Sequence, residues 1–409
     1  MRTIVVNTGT ELLLGDVVNT HLTFIAREIL SLGLRVEEQR TVPDGAAIAS
    51  TLAEISPRAE IVFVTGGLGP TSDDITRELV AELLGLELRE DPAVREAIHA
   101  RLTARKIPMP ERIWRQAQIP TGGKVLTNAN GTAPGIYLAA NLSPKVASPH
   151  LFLLPGPPRE LQPMFHETVM PILRQLHQGA IAMRKFRLAN VGESVVEEKV
   201  GAELTAIAQL EVGYCARPGE VDLRLIGPAA AVAEGERLVR AKLGAAIFTD
   251  SEEDLATVLV RMLSERNQTI AFAESCTGGF LANEMTNVPG ASKVVRAGFV
   301  TYRNEAKAHI LGVDPALLRQ EGAVSEPVAR AMAEGARRVA ETDYALATTG
   351  IAGPGGATET KRVGTVFVSL ASAGAATRSR EFFLPTDRIT FKRMVGQQAF
   401  DLLRRQLLR

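Results

Sequence analysis

The chain has 409 residues, 45% of them hydrophobic and 22% charged, a globular profile that excludes a wholly disordered or collagen-like protein. Its 46 Lys and Arg residues balance 46 Asp and Glu residues, so the net charge is zero, which argues against non-specific binding to nucleic acid. With two cysteines, Cys215 and Cys276, and no apolar run near the ~20 residues of a membrane span, we expect a cytoplasmic protein of two or three domains, without disulfides or a membrane partner.

The first part of the chain alternates strand and helix signals. The predicted elements are a strand (Thr3–Asn7), a helix (Asn19–Leu32), a strand (34–42), a helix (Ala46–Ile55), a buried strand (Glu60–Gly66), a helix from near Ser72 and a late strand near 150–161. This β-α-β-α-β order predicts a parallel sheet with helices on both faces. We assign it to a first α/β domain, residues 1–178.

A smaller α+β module is predicted for residues 179–250. Its elements are a strand (Lys185–Asn190), a helix (Ser194–Ala206), a hairpin around Arg217–Glu220, a helix (Ala229–Leu243) and a strand (Ala245–Thr249). This composition is KH-like, but no GxxG loop with basic flanks is present, and the RNA clamp of a KH domain depends on that loop. A linking or dimerisation role is the favoured interpretation.

Residues 251–409 form a second predicted α/β domain. The elements are a helix (Leu255–Arg266), a strand (Thr269–Ser275), two buried strands (Tyr344–Gly350 and Gly364–Ser372) and an Arg-rich amphipathic helix (Phe391–Arg409).

A glycine-rich loop, TGGLGPTSDD, follows the buried strand of the first domain and opens a helix. Its glycines let backbone N–H groups approach an anion, and Thr71 or Ser72 can cap the helix. The anion-binding candidates are Gly66, Gly67, Gly69 and Thr71. Asp73 and Asp74 follow at once, and two carboxylates beside a phosphate suggest a bridging cation. Either acid alone would be explained by the helix dipole; the glycines favour the site.

Other loops should meet this one, because parallel strands deliver their C-terminal loops to one edge of the sheet. They offer the metal candidates Asp16 and Glu160 and the substrate candidates Asn19, Thr132, Pro155 and Gly156. Each is more often a plain turn residue when taken singly.

The motif AESCTGG of the second domain sets Ser275, Cys276 and Thr277 between a buried strand and a helix start, where a helix N-terminus stabilises developing negative charge. Tyr302 and Lys307 follow, and either side chain can act as base for a serine where no histidine is available. The alternatives are a capping role for Ser275 and a solvated helix face for Lys307.

Two further features of this domain suit an anionic substrate. A second glycine-rich loop follows a buried strand, and the basic tail supplies arginines for a phosphate. The substrate candidates of the domain are Thr277, Gly278, Gly279, Thr349, Gly350, Arg388 and Arg393. The six histidines are scattered without an HExxH or CxxC pattern, so a zinc site is not predicted.

These motifs resemble a known family over nearly the whole chain. TGTELLLGD, TGGLGPTSDD and LPGPPRE are similar to the N-terminal domain of the CinA family (competence/damage-inducible proteins), which is related to the MoaB/MogA fold that binds molybdopterin. AESCTGG, GFVTYRNEAK, GAVSEP and TGIAGPGG are similar to its C-terminal domain, the PncC-type nicotinamide mononucleotide amidohydrolase.

The resemblance implies a bifunctional hydrolase of pyridine-nucleotide salvage. The N-terminal domain would cleave ADP-ribose to AMP and ribose 5-phosphate with a divalent metal (Mg²⁺, Mn²⁺ or Co²⁺), with K⁺ as a second candidate cation and Asp74 as a catalytic residue. The C-terminal domain would convert nicotinamide mononucleotide to nicotinate mononucleotide and ammonia without a cofactor. Ser275 would be its nucleophile, Tyr302 and Lys307 would assist, and Thr349 with a tail arginine would bind substrate. A homodimer is implied as well.

Two rival functions stay open. The first domain alone suggests a molybdopterin-binding protein, and the family name suggests a non-enzymatic adaptor in competence or recombination. A fold does not fix a function, and the charge balance gives no support to DNA binding.

Overall fold

A computed structural model describes residues 1–143, 146–177, 179 and 181–409. The chain divides into two compact units, Met1–Ile181 and Ala182–Arg409. Among the described residues, none of the helices has both the length and the apolar character needed to cross a membrane.

The first unit is built on a six-stranded mixed sheet. The unit has eight strands in all, six of them in this sheet: β1 (Arg2–Thr8), β2 (Arg35–Val42), β3 (Ile61–Thr65), β4 (Leu88–Glu90), β5 (Gln118–Pro120), β6 (Lys124–Leu126), β7 (Gly135–Leu138) and β8 (His150–Leu154). The sheet has the order β2-β1-β3-β8-β7-β6, while β4 and β5 pair separately. The pairs among β2, β1, β3 and β8 are parallel, as predicted, whereas β6 and β7 are antiparallel additions at one edge.

Helices cover both faces of this sheet. Successive residues of a strand point to opposite sides, and because the residues on both sides are apolar, both faces must be buried. Ile4 and Val6 of β1 face one hydrophobic cluster and Val5 faces the other. The helices are α1 (Thr10–Leu14), α2 (His21–Leu30), α3 (Ala46–Ile55), α4 (Thr76–Leu84), α5 (Pro92–Ala104), α6 (Pro158–Met164) and α7 (Met170–Leu176), with 3₁₀ turns at Ser56–Arg58 and Glu111–Ala117 and a π-helical stretch at Phe165–Val169.

The predicted helix start near Ser72 is wrong, since α4 begins at Thr76. The carboxylate of Asp74 accepts hydrogen bonds from the Thr71 N–H (3.0 Å) and from its hydroxyl, so these residues close as a turn of their own. The helix then starts after Ile75 without a side-chain cap, and neither Thr71 nor Ser72 is the capping residue.

The second unit begins with an antiparallel sheet and two helices. These elements are β9 (Ala182–Ala189), α8 (Glu193–Thr205), β10 (Glu211–Arg217), β11 (Glu220–Gly227), α9 (Ala229–Leu243) and β12 (Ile247–Thr249). The sheet order is β10-β11-β9-β12, and β10 and β11 form the hairpin expected around Arg217–Glu220. The module is α+β; its likeness to a KH domain stays a prediction.

The rest of the unit is the predicted second α/β domain. Its elements are α10 (Leu255–Glu265), β13 (Ile270–Glu274), α11 (Phe280–Thr286), a 3₁₀ turn (Ala291–Lys293), β14 (Val295–Val300), α12 (Asn304–Leu311), α13 (Pro315–Glu321), α14 (Glu326–Ala340), β15 (Tyr344–Gly350), β16 (Thr365–Ser372), β17 (Ala375–Phe383) and α15 (Arg388–Leu407). The sheet order is β14-β13-β15-β16-β17, with parallel pairing around β13 and antiparallel pairing beyond β15.

The tail helix α15 starts three residues before the predicted start at Phe391. The Asp387 carboxylate caps it by accepting hydrogen bonds from the N–H groups of Ile389 and Thr390. Arg388 is therefore the first residue of the helix, held next to its cap.

Candidate functional site

A cavity of about 520 Å³ lies at the carboxyl ends of β1, β3 and β8 in the first unit. Ten of the predicted site residues line it: Asn19, Gly66, Gly67, Gly69, Asp73, Asp74, Thr132, Pro155, Gly156 and Glu160. The loops that follow three parallel strands therefore converge on one edge of the sheet. Asp16 and Thr71 are not among the lining residues; Glu11, one turn before Asp16, lines the cavity instead.

The glycine-rich loop needs its glycines for steric reasons as well as for anion access. Gly66 has a φ of +103°, and a Cβ placed on it would lie 2.6 Å from the carbonyl oxygen of Thr8. A Cβ on Gly67 would lie 2.0 Å from the hydroxyl oxygen of Thr76. Neither position has room for a side chain, so the backbone itself forms the wall of the cavity.

Most carboxylates around the cavity already have protein partners. Asp74 accepts from Thr71, as described above, and the Glu160 carboxylate accepts from the Asn128 amide at 2.8 Å. In the described ranges, no three His, Cys, Asp or Glu side chains come together as a ready-made metal cage. Asp73 and Asp74 line the cavity, and Mg²⁺ is commonly held by one or two carboxylates together with phosphate oxygens.

A polar network beneath the cavity includes a histidine that the sequence analysis did not select. Asn7 on β1 donates to the Thr65 hydroxyl (2.8 Å) and accepts from the Asn19 amide (2.8 Å). His21 Nδ1 lies 3.2 Å from the Thr65 hydroxyl, and the ring lines the cavity. Burial lowers the pKa of His21, so its ring is neutral at pH 7. Its only sequence signal is its place two residues after Asn19.

The 3₁₀ segment Glu111–Ala117 also contributes to this site, although no sequence pattern predicted it. Arg115 donates to the carbonyl oxygens of Thr71 and Asp74 (both 3.4 Å) and to the carboxylate of Glu78 (2.9 Å). The segment thus braces the glycine-rich loop. Its next residue, Gln116, lines the cavity.

In the second unit, Ser275 and Lys307 form a close pair. The Lys307 amine donates hydrogen bonds to Ser275 Oγ (3.2 Å) and to the carbonyl oxygens of Thr301 (2.8 Å) and Tyr302 (3.2 Å). Lys307 has 0% exposure, so the alternative of a solvated helix face is wrong. Burial lowers the pKa of its amine, which favours the neutral form able to accept a proton.

Cys276, the next residue, is 5% exposed and belongs to the hydrophobic core. It packs in the cluster that includes Phe272 and Leu281. Burial raises the pKa of its thiol to about 12. The two neighbouring nucleophiles therefore differ in environment: Ser275 has a hydrogen bond with a buried amine, whereas Cys276 packs among apolar side chains beside the Thr348 hydroxyl.

The turn after Ser275 is shaped by a buried carboxylate. Glu274 is 1% exposed and accepts hydrogen bonds from the backbone N–H groups of Gly279 (2.9 Å), Leu281 (3.1 Å) and Ala282 (2.9 Å). The N–H of Gly279, a predicted substrate-binding residue, is thus occupied by Glu274 and is not available to a substrate oxyanion. The backbone N–H groups of Thr277 and Gly278, also predicted substrate-binding residues, make no hydrogen bond with Glu274.

The remaining predicted residues of this domain are the threonines and Gly350 near β15 and the arginines of the tail helix. Thr277 and Thr348 share a hydrogen bond between hydroxyls (2.7 Å), and Thr349 donates to the carbonyl oxygen of Ala323 (2.7 Å). Gly350 ends β15, where a Cβ would lie 2.8 Å from the carbonyl oxygen of Thr365. These threonines and Gly350 are therefore held by the protein's own backbone and side chains.

The tail helix supplies cations near the Ser275 turn. Arg388 donates to the Tyr302 hydroxyl (3.0 Å) and to the carbonyl oxygen of Gly353 (2.9 Å). Lys392, which the sequence analysis did not select, lies above the turn, because a Cβ on Gly278 would be 3.7 Å from its Nζ. Arg393 is exposed and makes no hydrogen bond or ion pair with the described residues. The Tyr302 hydroxyl pairs with Arg388, and its link to Lys307 runs through the main-chain carbonyl.

Two family models match the chain, one in each unit. Residues 4–175 match the model described as a probable molybdopterin binding domain, and residues 252–407 match the CinA C-terminal domain. Together they cover the two predicted α/β domains, in agreement with the resemblance inferred from the motifs.

A curated relative matches this chain over almost its full length, and solved structures match about two fifths of it. A CinA-like protein of Akkermansia muciniphila is 45% identical over 400 residues, which cover 98% of this chain and 96% of the relative. Among solved structures, competence/damage inducible protein CihA of Agrobacterium tumefaciens is 35% identical with a TM-score of 0.37, covering 38% of this chain and 94% of that one. CinA of Thermoplasma acidophilum is 28% identical with a TM-score of 0.38, covering 42% and 99%. The full-length identity to the CinA-like relative shows that this chain belongs to the CinA family.

Proposed function

We propose that this protein is a bifunctional hydrolase of pyridine-nucleotide salvage. The second unit would deamidate nicotinamide mononucleotide to nicotinate mononucleotide and ammonia. The first unit would hydrolyse ADP-ribose to AMP and ribose 5-phosphate with a divalent cation. A cytoplasmic homodimer without a nucleic-acid partner belongs to the same proposal.

The buried contact between Ser275 Oγ and Lys307 Nζ at 3.2 Å is the observation that carries the deamidase assignment. Serine is a weak nucleophile at neutral pH unless a base takes its proton. A lysine can be that base when its amine is neutral, and the burial that lowers the pKa of Lys307 favours this form. Tyr302 contributes through its carbonyl oxygen, which helps to hold the amine.

The chemistry then follows from the positions of these groups. Lys307 accepts the Ser275 proton while Oγ bonds to the carboxamide carbon, and the oxyanion that forms would be stabilised by the N–H groups of Thr277 and Gly278. The C–N bond breaks as the proton returns to the leaving nitrogen, which releases ammonia. Water, activated by the same amine, cleaves the ester to give the acid and free Ser275. Arg388 and Lys392 would neutralise the phosphate of the nucleotide.

The proposal for the first unit rests on its cavity. The N–H of Gly66 already donates to the carbonyl oxygen of Leu154 (2.9 Å), so the backbone at Gly67 and Gly69 is what offers donors to a pyrophosphate. His21, neutral at pH 7, is a base available to activate water. Asp73 and Asp74, the predicted metal-site acids, would hold the cation together with the substrate phosphates. The cation's contribution would be to neutralise the charge of the pyrophosphate.

One experiment tests both halves. The purified full-length protein is incubated separately with nicotinamide mononucleotide and with ADP-ribose plus Mg²⁺, Mn²⁺ or Co²⁺, and ammonia and AMP are quantified. Release of each product by the wild type, with ammonia lost in Ser275→Ala and AMP lost in Asp74→Asn, would support the proposal. The two variants serve as each other's control because each should keep the other activity. Inertness toward both substrates would refute it.

A molybdopterin-binding protein is the second candidate. The observation in its favour is the match of residues 4–175 to the probable molybdopterin binding domain. Tight pterin binding together with failure to release AMP would support this candidate for the first unit. A non-enzymatic adaptor in competence is suggested by the names of relatives such as the Agrobacterium protein. DNA binding with neither hydrolysis would support that third reading.

A further inference from the structure

The cavity of the first unit contains a buried polar side chain that has no partner. Gln116 lines the cavity and is 0% exposed. Among the described residues, neither its amide oxygen Oε1 nor its amide nitrogen Nε2 has a hydrogen-bond partner. A buried amide with both functions unpaired is unfavourable in a folded protein, where nearly all such groups are paired. The free chain therefore keeps a donor and an acceptor in the wall of a cavity.

The position of this amide is fixed by its neighbours. Arg115, one residue earlier, is bound to the glycine-rich loop through the carbonyl oxygens of Thr71 and Asp74. Beneath the same loop, the Thr76 hydroxyl is also fully buried and without a partner in the described part of the chain. Arg115 thus ties the segment that carries Gln116 to the glycine-rich loop, and Gln116 and the loop line the same cavity.

The chemistry of a primary amide limits what it can recognise. A phosphate offers acceptors alone, so it could satisfy the NH₂ group but would face the amide oxygen with negative charge. A planar heterocycle whose edge carries a donor next to an acceptor satisfies both groups at once, as in the pairing of glutamine with the N6 and N7 atoms of adenine. Hydroxyl groups rotate freely and do not require such a planar pair.

Building on the proposed nucleotide chemistry of this cavity, we infer that Gln116 reads the base of the substrate by a two-point hydrogen bond. Its amide oxygen accepts from the 6-amino group of a purine, and its NH₂ donates to the neighbouring ring nitrogen. Gln116 is thus a specificity-determining residue, whereas the glycine-rich loop contacts the phosphates.

The test compares two nucleotides that differ only at the base edge. Binding of AMP and of purine riboside 5′-monophosphate, which lacks the 6-amino group, is measured by calorimetry on the full-length wild type and on Gln116→Leu. We expect the wild type to prefer AMP by about tenfold or more, since a lost partner leaves a buried group unpaired. Gln116→Leu should bind AMP more weakly and no longer distinguish the two nucleotides, which is the signature of direct coupling.

Stability separates recognition from a structural role. If the amide serves a ligand, Gln116→Leu removes an unpaired polar group and should melt no lower than the wild type. Gln118→Leu is the matched control, because Gln118 begins β5 and does not line the cavity; it should keep the preference for AMP. Should Gln116→Leu unfold, Gln116→Glu keeps the shape of the side chain and removes the donor.

Three results would overturn the inference. The Gln116 variant could keep the preference for AMP, the wild type could bind both nucleotides equally, or it could bind neither. Failure of the inference is distinguishable from failure of the pyrophosphatase proposal. A chain that binds AMP through Gln116 but releases no AMP from ADP-ribose would keep the base contact and lose the activity. A chain that hydrolyses ADP-ribose without any dependence on Gln116 would do the reverse.

Discussion

Cys276→Ala should leave the deamidation of nicotinamide mononucleotide within about twofold of the wild type, whereas Ser275→Ala should lower it on the order of 10³-fold or more. The two residues are adjacent, and a cysteine is intrinsically the better nucleophile. Their surroundings decide between them, because Ser275 Oγ lies 3.2 Å from the Lys307 amine and Cys276 packs in the hydrophobic core.

The high pKa of Cys276 explains why its removal should leave the reaction rate nearly unchanged. With a pKa of about 12, the thiol of Cys276 is almost wholly un-ionised at pH 7. Since the thiolate is the reactive form, the cysteine is effectively silent. Removing its buried sulfur should instead cost stability, about 1–2 kcal/mol or a few degrees in Tm.

The assay combines ammonia release with alkylation by iodoacetamide. Cys215 is exposed and provides an internal control for the reagent, whereas Cys276 is buried. Mass spectrometry should find the label on Cys215, with ammonia release unchanged. If Cys276→Ala is inactive while Ser275→Ala retains activity, or if labelling of Cys276 accompanies inactivation, the site is a cysteine amidase and Ser275 is not its nucleophile.

The other predictions concern the base, the metal and the linking module. Burial lowers the pKa of Lys307 below 10.5, so kcat/KM for nicotinamide mononucleotide should rise with pH as this amine loses its proton. Lys307→Arg, which stays protonated, should lose activity on the order of 10³-fold. A wild-type pH profile without this rise would contradict the role of Lys307 as a base. EDTA should stop AMP release and spare ammonia release, with Asp74→Asn matching the EDTA effect; equal sensitivity of both reactions would contradict a cation confined to the first unit. The full chain should show no measurable RNA affinity at physiological salt, because residues 185–250 lack a GxxG loop, and submicromolar, salt-sensitive binding would show otherwise.

The α/β architecture could be predicted because its signals are local. The run Ile61–Thr65 is apolar and β-branched, and each of its residues is buried, which is the pattern of a parallel strand covered on both faces. The glycine-rich loop after this strand could also be predicted, because its signal is a local run of glycines. The parallel arrangement then brought the loop of Asn19 to the cavity, whereas the loop of Thr132 reaches the same edge because β7, which follows it, runs antiparallel to β8.

Residues whose roles depend on tertiary burial could not be found in this way. Gln116 lies in the polar segment Glu111–Ala117, which has no helical or strand period, so the sequence favours exposure at this position. Lys307 on α12 looked equally well like a solvated residue. Its burial depends on the carbonyl oxygens of Thr301 and Tyr302, which accept from its amine, and no local pattern announces that arrangement.

The two candidate sites share a way of forming their loops, with a consequence for anion binding. In each, a carboxylate in or next to the loop accepts hydrogen bonds from backbone N–H groups. Asp74 accepts from Thr71. Glu274, the last residue of β13, accepts from Gly279, Leu281 and Ala282. A negative charge at the start of α11 already satisfies the positive end of that helix dipole. A phosphate near Ser275 would therefore gain little from the helix itself. Its charge must be balanced by side-chain cations, and Arg388 and Lys392 of α15 are the ones that lie next to the turn. The tail helix thus completes the site that β13 begins.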